Sequence, residues 1–575
     1  DCAQNIEEYV RSCPNISWIG HVTNNPAYKT QNNSENYVIT VISEENSVIK
    51  LDLDIKLDTF WDEHEADNEN GIKNSVKNSG KNSGKNHAVR DIVIPLIVDA
   101  KRAGSIPVVD RERLPKHVYN MLAATAGIGN TAITGDVLSE MPKVDASQEA
   151  CEQVKKEIVC GKANKSACET TCETACEMPF GVVKSAYTLS RNLGIDHESA
   201  TAGRLPEGLQ ASRIVPDALV GPAWPTIYSA LGSVMVDGYP VIEGLLNAVH
   251  LDHLIELDVS TDDLQKYVGT RINLTGWAED YAESASGRVV TIHIIHNSQD
   301  GTKIAHETER FAIRGRSYSA ALPKPAPEYG DAAELHGFSV DNTPRRALRR
   351  VVIRAPKDMT AFARTSGDFN PIHTSKRGAA ISGLSAPLVH GMWLSAAAQH
   401  VAQALDEKGA HYDLVGWTYN MYGMVQLNDE VEITVERVGK VRRGGLALEV
   451  TCRVNGQIVS KASALTRAPR AAFVYPGQGI QKQGMSLDER AKSPAVRETW
   501  ERADKLTREK LGFSILAVVR DNPKELTANG VTYRHPEGLL NLTQFTQVAL
   551  ATVAFAQTAV SYTHLRAHET KANLV

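Results

Sequence analysis

An apolar helix followed by strands of alternating polarity restricts the fold of this chain most, and its first copy begins near residue 215. Apolar helical segments are predicted at residues 224–231 and 241–249. Strands follow at residues 271–274 and 289–295, and Asp300-Gly301 then predicts a hairpin turn. Alternating polarity gives each strand one buried face and one polar face.

The same plan returns in a second unit. A long alanine-rich helix is predicted at residues 391–405 and strands at residues 430–436 and 446–454, and a turn at Asn455-Gly456 leads the chain back. Each antiparallel sheet must bury one face, and small alanine side chains let a sheet approach its helix closely. We therefore predict an α+β chain with two tandem domains, each a sheet wrapped around a helix.

The composition is that of a globular chain with several domains. The chain has 575 residues, which at roughly 150 residues per domain corresponds to about four domains. The net charge is −6, so nucleic acid is not a predicted partner. The longest apolar stretch, residues 548–556, is shorter than the ~20 residues of a membrane span, and the polar start carries no secretory signal. We expect a cytoplasmic location with no membrane partner and, because residue 1 is Asp, an internal piece of a longer protein.

The first 214 residues are predicted to form a β-rich region. Residues 37–42, 51–55 and 91–98 have strand patterns, and residues 114–126 are helical. A Lys-Asn-Ser-Gly repeat before the third strand cannot bury a core, so residues 70–90 are predicted to be a flexible insertion.

Residues 140–176 form a second predicted insertion, exposed, charged and rich in cysteine. Five of the eight cysteines lie there: Cys151, Cys160, Cys168, Cys172 and Cys176. The last three are spaced i, i+4, i+8, which places the sulfurs along one helix face and not around a point. No CxxC pair is present, so a thiol-bearing surface or interface helix is favoured over a metal or iron–sulfur site.

A further domain is predicted after residue 468. Residues 471–475 have the pattern of a short buried strand, Pro476-Gly477-Gln478-Gly479 turns the chain, and helices follow to about residue 560. This order is typical of the start of an α/β domain. The polar residues 561–575 are predicted to be a non-native tail.

The segment Asp368-Phe369-Asn370-Pro371-Ile372-His373 places a carboxylate and an imidazole across a turn. On a regular helix, residues five apart diverge by about 140° at ~100° per residue, so the Asn-Pro turn must bring the two side chains together. Such a pair can exchange protons near neutral pH. The alternative is an Asx-turn before a helix, in which Asp368 and Asn370 are structural.

His390-Gly391 stands where the alanine-rich helix begins. The first N–H groups of a helix are unpaired and partially positive, and a glycine lets a ligand approach the backbone. They can bind a carbonyl oxygen that gains negative charge. Together with the Asp-His pair, this predicts abstraction of a proton α to a carbonyl and departure of a hydroxyl. Taken alone, His390 is better explained as a packed histidine or a helix cap.

Residues 367–373, followed by Ala386-Pro387-Leu388-Val389-His390-Gly391-Met392, resemble the MaoC-like hot-dog dehydratases and R-specific enoyl hydratases over about residues 345–468. The resemblance implies that Asp368 and His373 are the catalytic pair, that Asn370 supports them and that the Gly391 N–H binds the thioester oxygen. His373 is the expected base at C2 and Asp368 the group that handles water, with the division of roles open. His390 is expected at the substrate.

Residues 215–330 resemble the non-catalytic first half of a double hot-dog dehydratase, because they lack the Asp-x4-His motif. In such tandems the first half helps to house the acyl chain. His250 and His253 in this half are therefore predicted to be structural.

Residues 473–485, with a Gly-Gln-Gly turn around Gln478, resemble the opening of acyl-carrier-protein acyltransferase domains. The resemblance implies that Gln478 lies near the oxyanion site and the substrate. No Gly-His-Ser-x-Gly nucleophile elbow follows in the sequence. Residues 471–560 are therefore predicted to be only the N-terminal part of a malonyl/palmitoyl transferase, without transfer activity.

A double dehydratase followed by a transferase resembles type I fatty acid synthases, the fungal β-subunit and the single-chain actinobacterial enzyme, with residues 1–214 as the connecting region. The resemblance implies dehydration of (3R)-3-hydroxyacyl groups to trans-2-enoyl groups on the phosphopantetheine of an acyl carrier protein. It implies no metal or organic cofactor for that step, and the other synthase domains of a homo-oligomeric complex as partners. The alternatives are a free-standing hydratase that acts on acyl-CoA and a structural segment without activity of its own.

Overall fold

The computed structural model describes residues 37–56, 91–99, 108–160, 178–206, 209, 214–242, 248–284, 287–313, 339–381, 384–404, 412–442, 444–467, 475 and 477–565. The chain divides into two compact units. The second contains Ala468–Val575 with the short segments Phe338–Asn342 and Lys440–Leu446, and the first contains the rest. Within the described ranges, no helix is both long enough and apolar enough to cross a membrane.

The strands are β1 (Tyr37–Glu45), β2 (Val48–Lys56), β3 (Asp91–Asp99), β4 (Val108–Val109), β5 (Val144–Asp145), β6 (Val182–Thr188), β7 (Met235–Val236), β8 (Tyr239–Pro240), β9 (Ala248–Leu257), β10 (Arg271–Ala278), β11 (Ala282–Ser284), β12 (Gly287–Asn297), β13 (Lys303–Ile313), β14 (Val340–Arg354), β15 (Leu414–Met421), β16 (Glu430–Val441), β17 (Leu446–Val454), β18 (Gln457–Thr466), β19 (Glu525–Ala528) and β20 (Val531–Arg534). The α-helices are α1 (Pro115–Thr125), α2 (Gln148–Cys160), α3 (Arg191–Ala202), α4 (Val220–Ser233), α5 (Thr261–Leu264), α6 (Thr360–Ser366), α7 (Pro371–Thr374), α8 (Lys376–Ile381), α9 (Gly391–Gln403), α10 (Leu487–Lys492), α11 (Pro494–Leu511), α12 (Ile515–Asp521) and α13 (Thr543–Leu565). Short 3-10 helices occur at Pro216–Leu219, Gln265–Tyr267 and Leu539–Asn541.

A small antiparallel sheet, in the order β1-β2-β3-β4, opens the described part of the chain and confirms the three strands predicted there. Its buried face alternates along β2, where Leu51 and Leu53 are buried between more exposed acidic residues. Arg113, in the segment before α1, binds to strands β2 and β3 of this sheet. Its guanidinium contacts Asp52 at 2.6 Å and donates to the carbonyl oxygens of Leu51 and Leu96 at 2.9 and 3.0 Å.

A twelve-stranded sheet dominates the first unit, in the order β14-β16-β17-β18-β15-β9-β13-β12-β10-β6-β5, with β11 beside β12. The pairing of β15 with β9 joins two halves, which we call the N-terminal half (β5, β6 and β9–β13, around α4) and the C-terminal half (β14–β18, around α9). The alanine-rich helix α9 is buried, and the Trp417 indole of β15 donates to the Ser395 hydroxyl at 3.0 Å. The predicted plan of two sheets, each wrapped around a helix, is thus confirmed. The two sheets are joined edge to edge into one continuous sheet.

The helix predicted at residues 241–249 is wrong where the structure describes it. Residues 243–247 lie outside the described residues, and β9 begins at Ala248. This strand pairs with β13 on one side and β15 on the other. The apolar run was compatible with a helix or a strand, and the long-range pairing on both edges of β9 stabilises the strand.

The predicted insertion at residues 140–176 is wrong for its first part. Strand β5 pairs with β6, and α2 buries Val154 and Ala150 on its inner face beside Trp277 of β10. The Cys151 sulfur lies 3.9 Å from the Met178 carbonyl oxygen. The helix is amphipathic, and its charged outer face dominates its composition. The predicted cysteine row Cys168, Cys172 and Cys176 lies outside the described residues, as does the insertion at 70–90.

The connecting region also contributes to the large sheet. Strand β6, which the sequence placed before the first half at residue 215, pairs along its length with β10. The hydroxyl groups of Ser185 on β6 and Thr226 on α4 are 2.5 Å apart. The N-terminal half therefore starts earlier in the chain than α4, the apolar helix from which it was predicted.

The second unit consists of helices and one short hairpin. Helices α11, α12 and α13 enclose a core that includes Trp500, Ile515 and Phe545, and β19 pairs with β20 beside them. The helices predicted to about residue 560 are confirmed, and α13 is described through Leu565. The predicted strand at 471–475, apart from Tyr475, and the rest of the predicted tail lie outside the described residues.

Candidate active site

A left-handed glycine and an Asn-Pro turn shape the segment that carries Asp368. Helix α6 ends at Ser366. Gly367 follows it with a φ of 71°, which suits a glycine, and the Gly367 N–H donates to the Ala363 carbonyl at 2.8 Å. The Asn370 N–H then donates to Asp368 Oδ1 at 3.0 Å, and the Ile372 N–H donates to Asn370 Oδ1 at 3.3 Å. The Asx-turn weighed as the structural alternative is therefore present, and it is also the device that starts α7.

The turn brings the predicted carboxylate and imidazole together, with His390 as a third member. Ligand atoms of Asp368, His373 and His390 all lie within 4.8 Å of one another. The two imidazole rings stack with centroids 4.0 Å apart at 28°. Of the three residues, Asp368 and His390 are buried, whereas His373 is half-buried. His373 is thus the member with access from outside.

A backbone carbonyl sets the tautomer of His373. Its Nδ1 lies 2.9 Å from the Leu388 carbonyl oxygen, so Nδ1–H donates and Nε2 carries the lone pair in the neutral ring. Burial lowers the pKa of His373 to about 4, and the hydrogen bond to Leu388 opposes it only in part. At neutral pH the ring is a neutral imidazole with Nε2 ready to accept a proton.

Asp368 has the opposite shift. Burial raises the pKa of the Asp368 carboxyl to about 6, against the opposing effects of the Asn370 N–H, the charge of His250 and a hydrogen bond with Tyr228. Both protonation states are therefore populated near pH 6. A carboxyl group that can hold a proton near neutral pH can act as an acid toward a leaving hydroxyl.

His390 contacts both the backbone and the carboxylate of Asp368. Its Nε2 donates to the Asp368 carbonyl oxygen at 3.0 Å and lies 3.8 Å from the carboxylate. Burial, with the neighbouring His373, holds the pKa of His390 well below its usual value. Within the described part of the chain, its buried Nδ1 has no hydrogen-bond partner. The predicted role of His390 at the substrate stays a prediction, whereas its contacts steady the Asp368 backbone.

Gly391 begins α9 directly after His390. At this first helical position the N–H has no acceptor within its own helix. A Cβ added to Gly391 would lie 2.6 Å from the Met421 sulfur, so the glycine leaves room that a side chain would fill. The predicted donor N–H therefore stands at the start of a buried helix, whose positive end favours a developing negative charge.

Two residues from elsewhere in the first unit also contact the Asp368 segment, and spacing along the sequence did not reveal them. Tyr228 of α4, in the N-terminal half, interacts with the Asp368 carboxyl by a side-chain hydrogen bond. Thr125, at the end of α1 in the connecting region, accepts a hydrogen bond from the Phe369 N–H at 2.9 Å. Both contacts span long distances in the chain, so no local pattern marks them.

Gln478, the residue predicted at the transferase site, belongs to the second unit. Its side-chain amide donates to the Thr543 hydroxyl at the start of α13 over 3.1 Å. Gly479 follows with a φ of 118°, which accounts for the glycine in this turn. The role of Gln478 at a substrate stays a prediction.

Three family models match the chain in succession: the SBS domain of fatty acid synthase over residues 9–128, the MaoC like domain over 332–456 and the acyl transferase domain over 472–564. Among solved structures, a MaoC-like dehydratase is similar at 15% identity and a TM-score of 0.36, covering 50% of this chain and 98% of that one. The full-length peroxisomal multifunctional enzyme type 2 from Drosophila melanogaster is similar at 16% identity and a TM-score of 0.37, covering 52% and 51%.

Beta subunits of fungal fatty acid synthases are among the curated relatives. The chain is 34% identical over 259 residues to the fatty acid synthase beta subunit TOXC of Cochliobolus carbonum, and 30% identical over 266 residues to the fatty acid synthase subunit beta of Schizosaccharomyces pombe. Each alignment covers 38% of this chain, and the chain spans only 12% of each relative. These matches confirm the predicted resemblance to type I fatty acid synthases and, through the MaoC-like domain, the prediction of an enzyme of the hydratase or dehydratase class.

Proposed function

We propose that this chain dehydrates (3R)-3-hydroxyacyl thioesters to trans-2-enoyl thioesters in fatty acid biosynthesis. The observation that supports it is the pairing of a neutral imidazole at His373 with a carboxyl group at Asp368 whose pKa burial raises to about 6. The N–H of Gly391 stands at the start of the buried helix beyond them. A base, an acid and an oxyanion donor are the groups that loss of water from a β-hydroxy thioester requires.

In the proposed reaction, Nε2 of His373 removes the proton from C2 of the acyl chain. The electron pair of that C–H bond forms the C2=C3 double bond while the thioester oxygen, held by the Gly391 N–H, carries the transient charge. The C3–O bond breaks, and the hydroxyl leaves as water with the proton of the Asp368 carboxyl. Return of the proton from His373 to Asp368 restores both groups.

Only protons and one hydroxyl group move in this step, so we propose that it uses no metal or organic cofactor. The three atoms within 4.8 Å resemble a metal site in spacing. In each of the two imidazole rings one nitrogen, His373 Nδ1 or His390 Nε2, is hydrogen-bonded to a backbone carbonyl oxygen, so only the other nitrogen of each ring could bind a metal. A chelator such as EDTA should leave the rate unchanged, and loss of activity that zinc restores would contradict this part of the proposal.

We further propose that an acyl carrier protein presents the substrate, with other synthase domains and further copies of the chain as partners in a larger complex. The names of the curated relatives and the acyl transferase match support this assignment. The test compares kcat/KM for crotonyl groups on a carrier protein and on CoA. Higher efficiency on the carrier protein is expected, and a preference for CoA would favour the hydratase that acts on free acyl-CoA.

The function itself is tested by hydration of crotonyl thioesters, the reverse reaction, with the 575-residue chain. We expect His373→Ala and Asp368→Asn each to lower kcat/KM by about 100-fold or more, the usual scale of a lost acid or base. His535→Gln and Asp237→Asn change the same residue types far from the site in sequence and should leave the rate unchanged.

Two results would overturn the proposal. If the wild-type chain hydrates thioesters and both active-site variants keep the full rate, these residues are not the catalytic pair. If a folded wild-type chain is inactive on every thioester, the alternative of a structural segment without its own activity gains. Circular dichroism and thermal unfolding establish folding in each case.

A further inference from the structure

One face of the large sheet points away from α4, and His293 of β12 lies on that face. A Cβ added to Gly276 of β10 would lie 2.6 Å from Ile294 of β12 and 2.7 Å from Thr226 of α4, so Ile294 points toward the helix. Successive residues of a strand point to opposite faces of the sheet. His293 therefore points away from α4.

A second histidine, His306 of β13, meets His293 on this face. Thr308 pairs with His293 and His306 pairs with Ile295, so the two histidines are diagonal neighbours across the strands. His293 Nδ1 lies 3.2 Å from His306 Nε2 and 3.2 Å from the Thr308 hydroxyl oxygen. The two imidazole side chains are 12% and 20% exposed, so an ion can reach them from solvent.

A carboxylate contacts the other nitrogen of each ring. His293 Nε2 lies 2.9 Å from Glu279 Oε1, directly after β10, and His306 Nδ1 lies 3.3 Å from Glu256 Oε2 on β9. A carboxylate only accepts hydrogen bonds, so each of these ring nitrogens carries the N–H. A neutral imidazole has a single N–H, and the two nitrogens that face each other therefore both carry lone pairs.

Two lone pairs at this distance repel each other unless a cation lies between them. The Thr308 hydroxyl has one proton, so it can donate to only one of the two nitrogens. In a tetrahedral zinc site, Zn–N bonds of 2.0–2.1 Å place two ligand nitrogens about 3.3 Å apart. The observed separation of 3.2 Å between His293 Nδ1 and His306 Nε2 fits this arrangement.

The rings are held in this orientation by packing as well as by the carboxylates. The Trp277 indole is buried and stacks on His293, with centroids 5.1 Å apart at 25°, and lies 6.4 Å from His306 at 22°. Histidines that bind metals commonly donate their other N–H to a carboxylate, which fixes the tautomer and the ring orientation. Both histidines of the pair have such a carboxylate.

We propose that His293 Nδ1 and His306 Nε2 bind one divalent transition-metal ion, with Glu279 and Glu256 as the carboxylates that orient the rings and water in the remaining positions. Imidazole ligands suit zinc, copper and nickel, and the tetrahedral spacing of the nitrogens favours zinc. The four side chains come from β9, the end of β10, β12 and β13, so the ion links neighbouring strands and has a structural role. It takes no part in the proposed dehydration.

The test is calorimetric titration of the full chain with zinc chloride, after bound metal has been removed with EDTA and the thiols have been alkylated. The parent is the His373→Ala chain, which lacks one member of the cluster near Asp368. His293→Gln and His306→Gln should each remove one equivalent of zinc from this parent. Glu279→Gln should weaken that equivalent by about tenfold or more, the usual cost of a lost orienting carboxylate.

His535→Gln, a matched change in the second unit, is the control and should keep the zinc isotherm of the parent. Copper(II) gives a second readout, because its electron paramagnetic resonance spectrum shows hyperfine splitting from coordinated nitrogen. We expect that splitting in the parent and its loss in His306→Gln. Zinc should also raise the midpoint of thermal unfolding by about 2 °C or more, since an ion that binds only the folded chain stabilises it.

Three results would overturn the proposal. Zinc binding that is unchanged in both histidine variants would show that the pair is not the site, and a proton shared between the rings in place of a metal would give this result. A copper spectrum of the parent without coordinated nitrogen would refute it without any variant. If circular dichroism shows that the histidine variants do not fold, Glu279→Gln decides, because its side chain is 43% exposed, and an unchanged zinc affinity in that variant would refute the site.

Discussion

The backbone N–H of Phe369 donates to the carbonyl oxygen of Thr125 over 2.9 Å, so the connecting region holds the residue next to Asp368. The Thr134 N–H donates to the Arg364 carbonyl at 2.8 Å, and Ile133 packs against Phe369 and Ala363. These contacts attach a turn of the connecting region to both sides of the Asp368 segment. Together with Tyr228 of the N-terminal half, these contacts build the candidate site from three parts of the chain and not from one domain.

The first prediction concerns Gly127, which faces the Phe369 ring. Its φ is 64°, and an added Cβ would lie 2.5 Å from the ring. Gly127→Ala should lower the free energy of unfolding by about 2–4 kcal/mol, because backbone strain and overpacking add, and should lower the hydration rate. Urea unfolding and crotonyl hydration measure the two effects.

Gly301→Ala provides the matched control. Its φ of 83° imposes similar strain, but nothing lies within 4 Å of the added Cβ. We expect a loss of about 1 kcal/mol and an unchanged rate. Equal effects of the two substitutions on rate would show that the contact with Phe369 does not matter for activity.

The second prediction concerns the start of α9. In Gly391→Ala the added Cβ would lie 2.6 Å from the sulfur of Met421, a flexible side chain that can move toward the site. We expect little change in thermal stability and a fall in kcat/KM of about tenfold or more, because access to the helix N-terminus is narrowed. Gly423→Ala, whose Cβ would meet Val459 no closer than 3.4 Å, is the control and should keep the rate.

The third prediction is the pH profile of the wild-type chain. The proposed reaction needs Asp368 protonated and His373 neutral, and burial places their pKa values at about 6 and about 4. kcat/KM should therefore be highest between these values and fall on both sides. A rate that rises steadily from pH 5 to pH 9 would exclude Asp368 as the acid.

The fourth prediction concerns stability. The folded-state pKa of Asp368 is about 6, above its usual 3.8, so its contribution to stability is present at low pH and is lost as the pH rises through about 6. Asp368→Asn removes this penalty and should raise the free energy of unfolding at pH 8 by up to about 3 kcal/mol, with a smaller effect at pH 4. Denaturant unfolding at the two pH values measures it, and equal effects would contradict the shift.

Much of the fold followed from local patterns. Strands β2 and β16 alternate, α9 is an alanine-rich helix with a glycine at its start, and the Asp300-Gly301 hairpin forms between β12 and β13 as predicted. The Asp368–His373 convergence also followed, because Asn370 and Pro371 dictate the turn between them. The prediction of an exposed insertion was wrong for α2, because it followed the charged composition of that segment and not the periodicity of its apolar residues.

The sequence by itself determined the motif, its turn and the repeated helix-and-strand plan, because each depends on residues a few positions apart. The tertiary structure alone decided the protonation of the site, since the pKa shifts of Asp368 and His373 come from burial that no spacing reveals. It also decided that β9 is a strand, and that Tyr228 and Thr125 reach a segment far along the chain. Such contacts depend on which surfaces pack together, and the local propensity of a segment does not determine which surfaces it packs against.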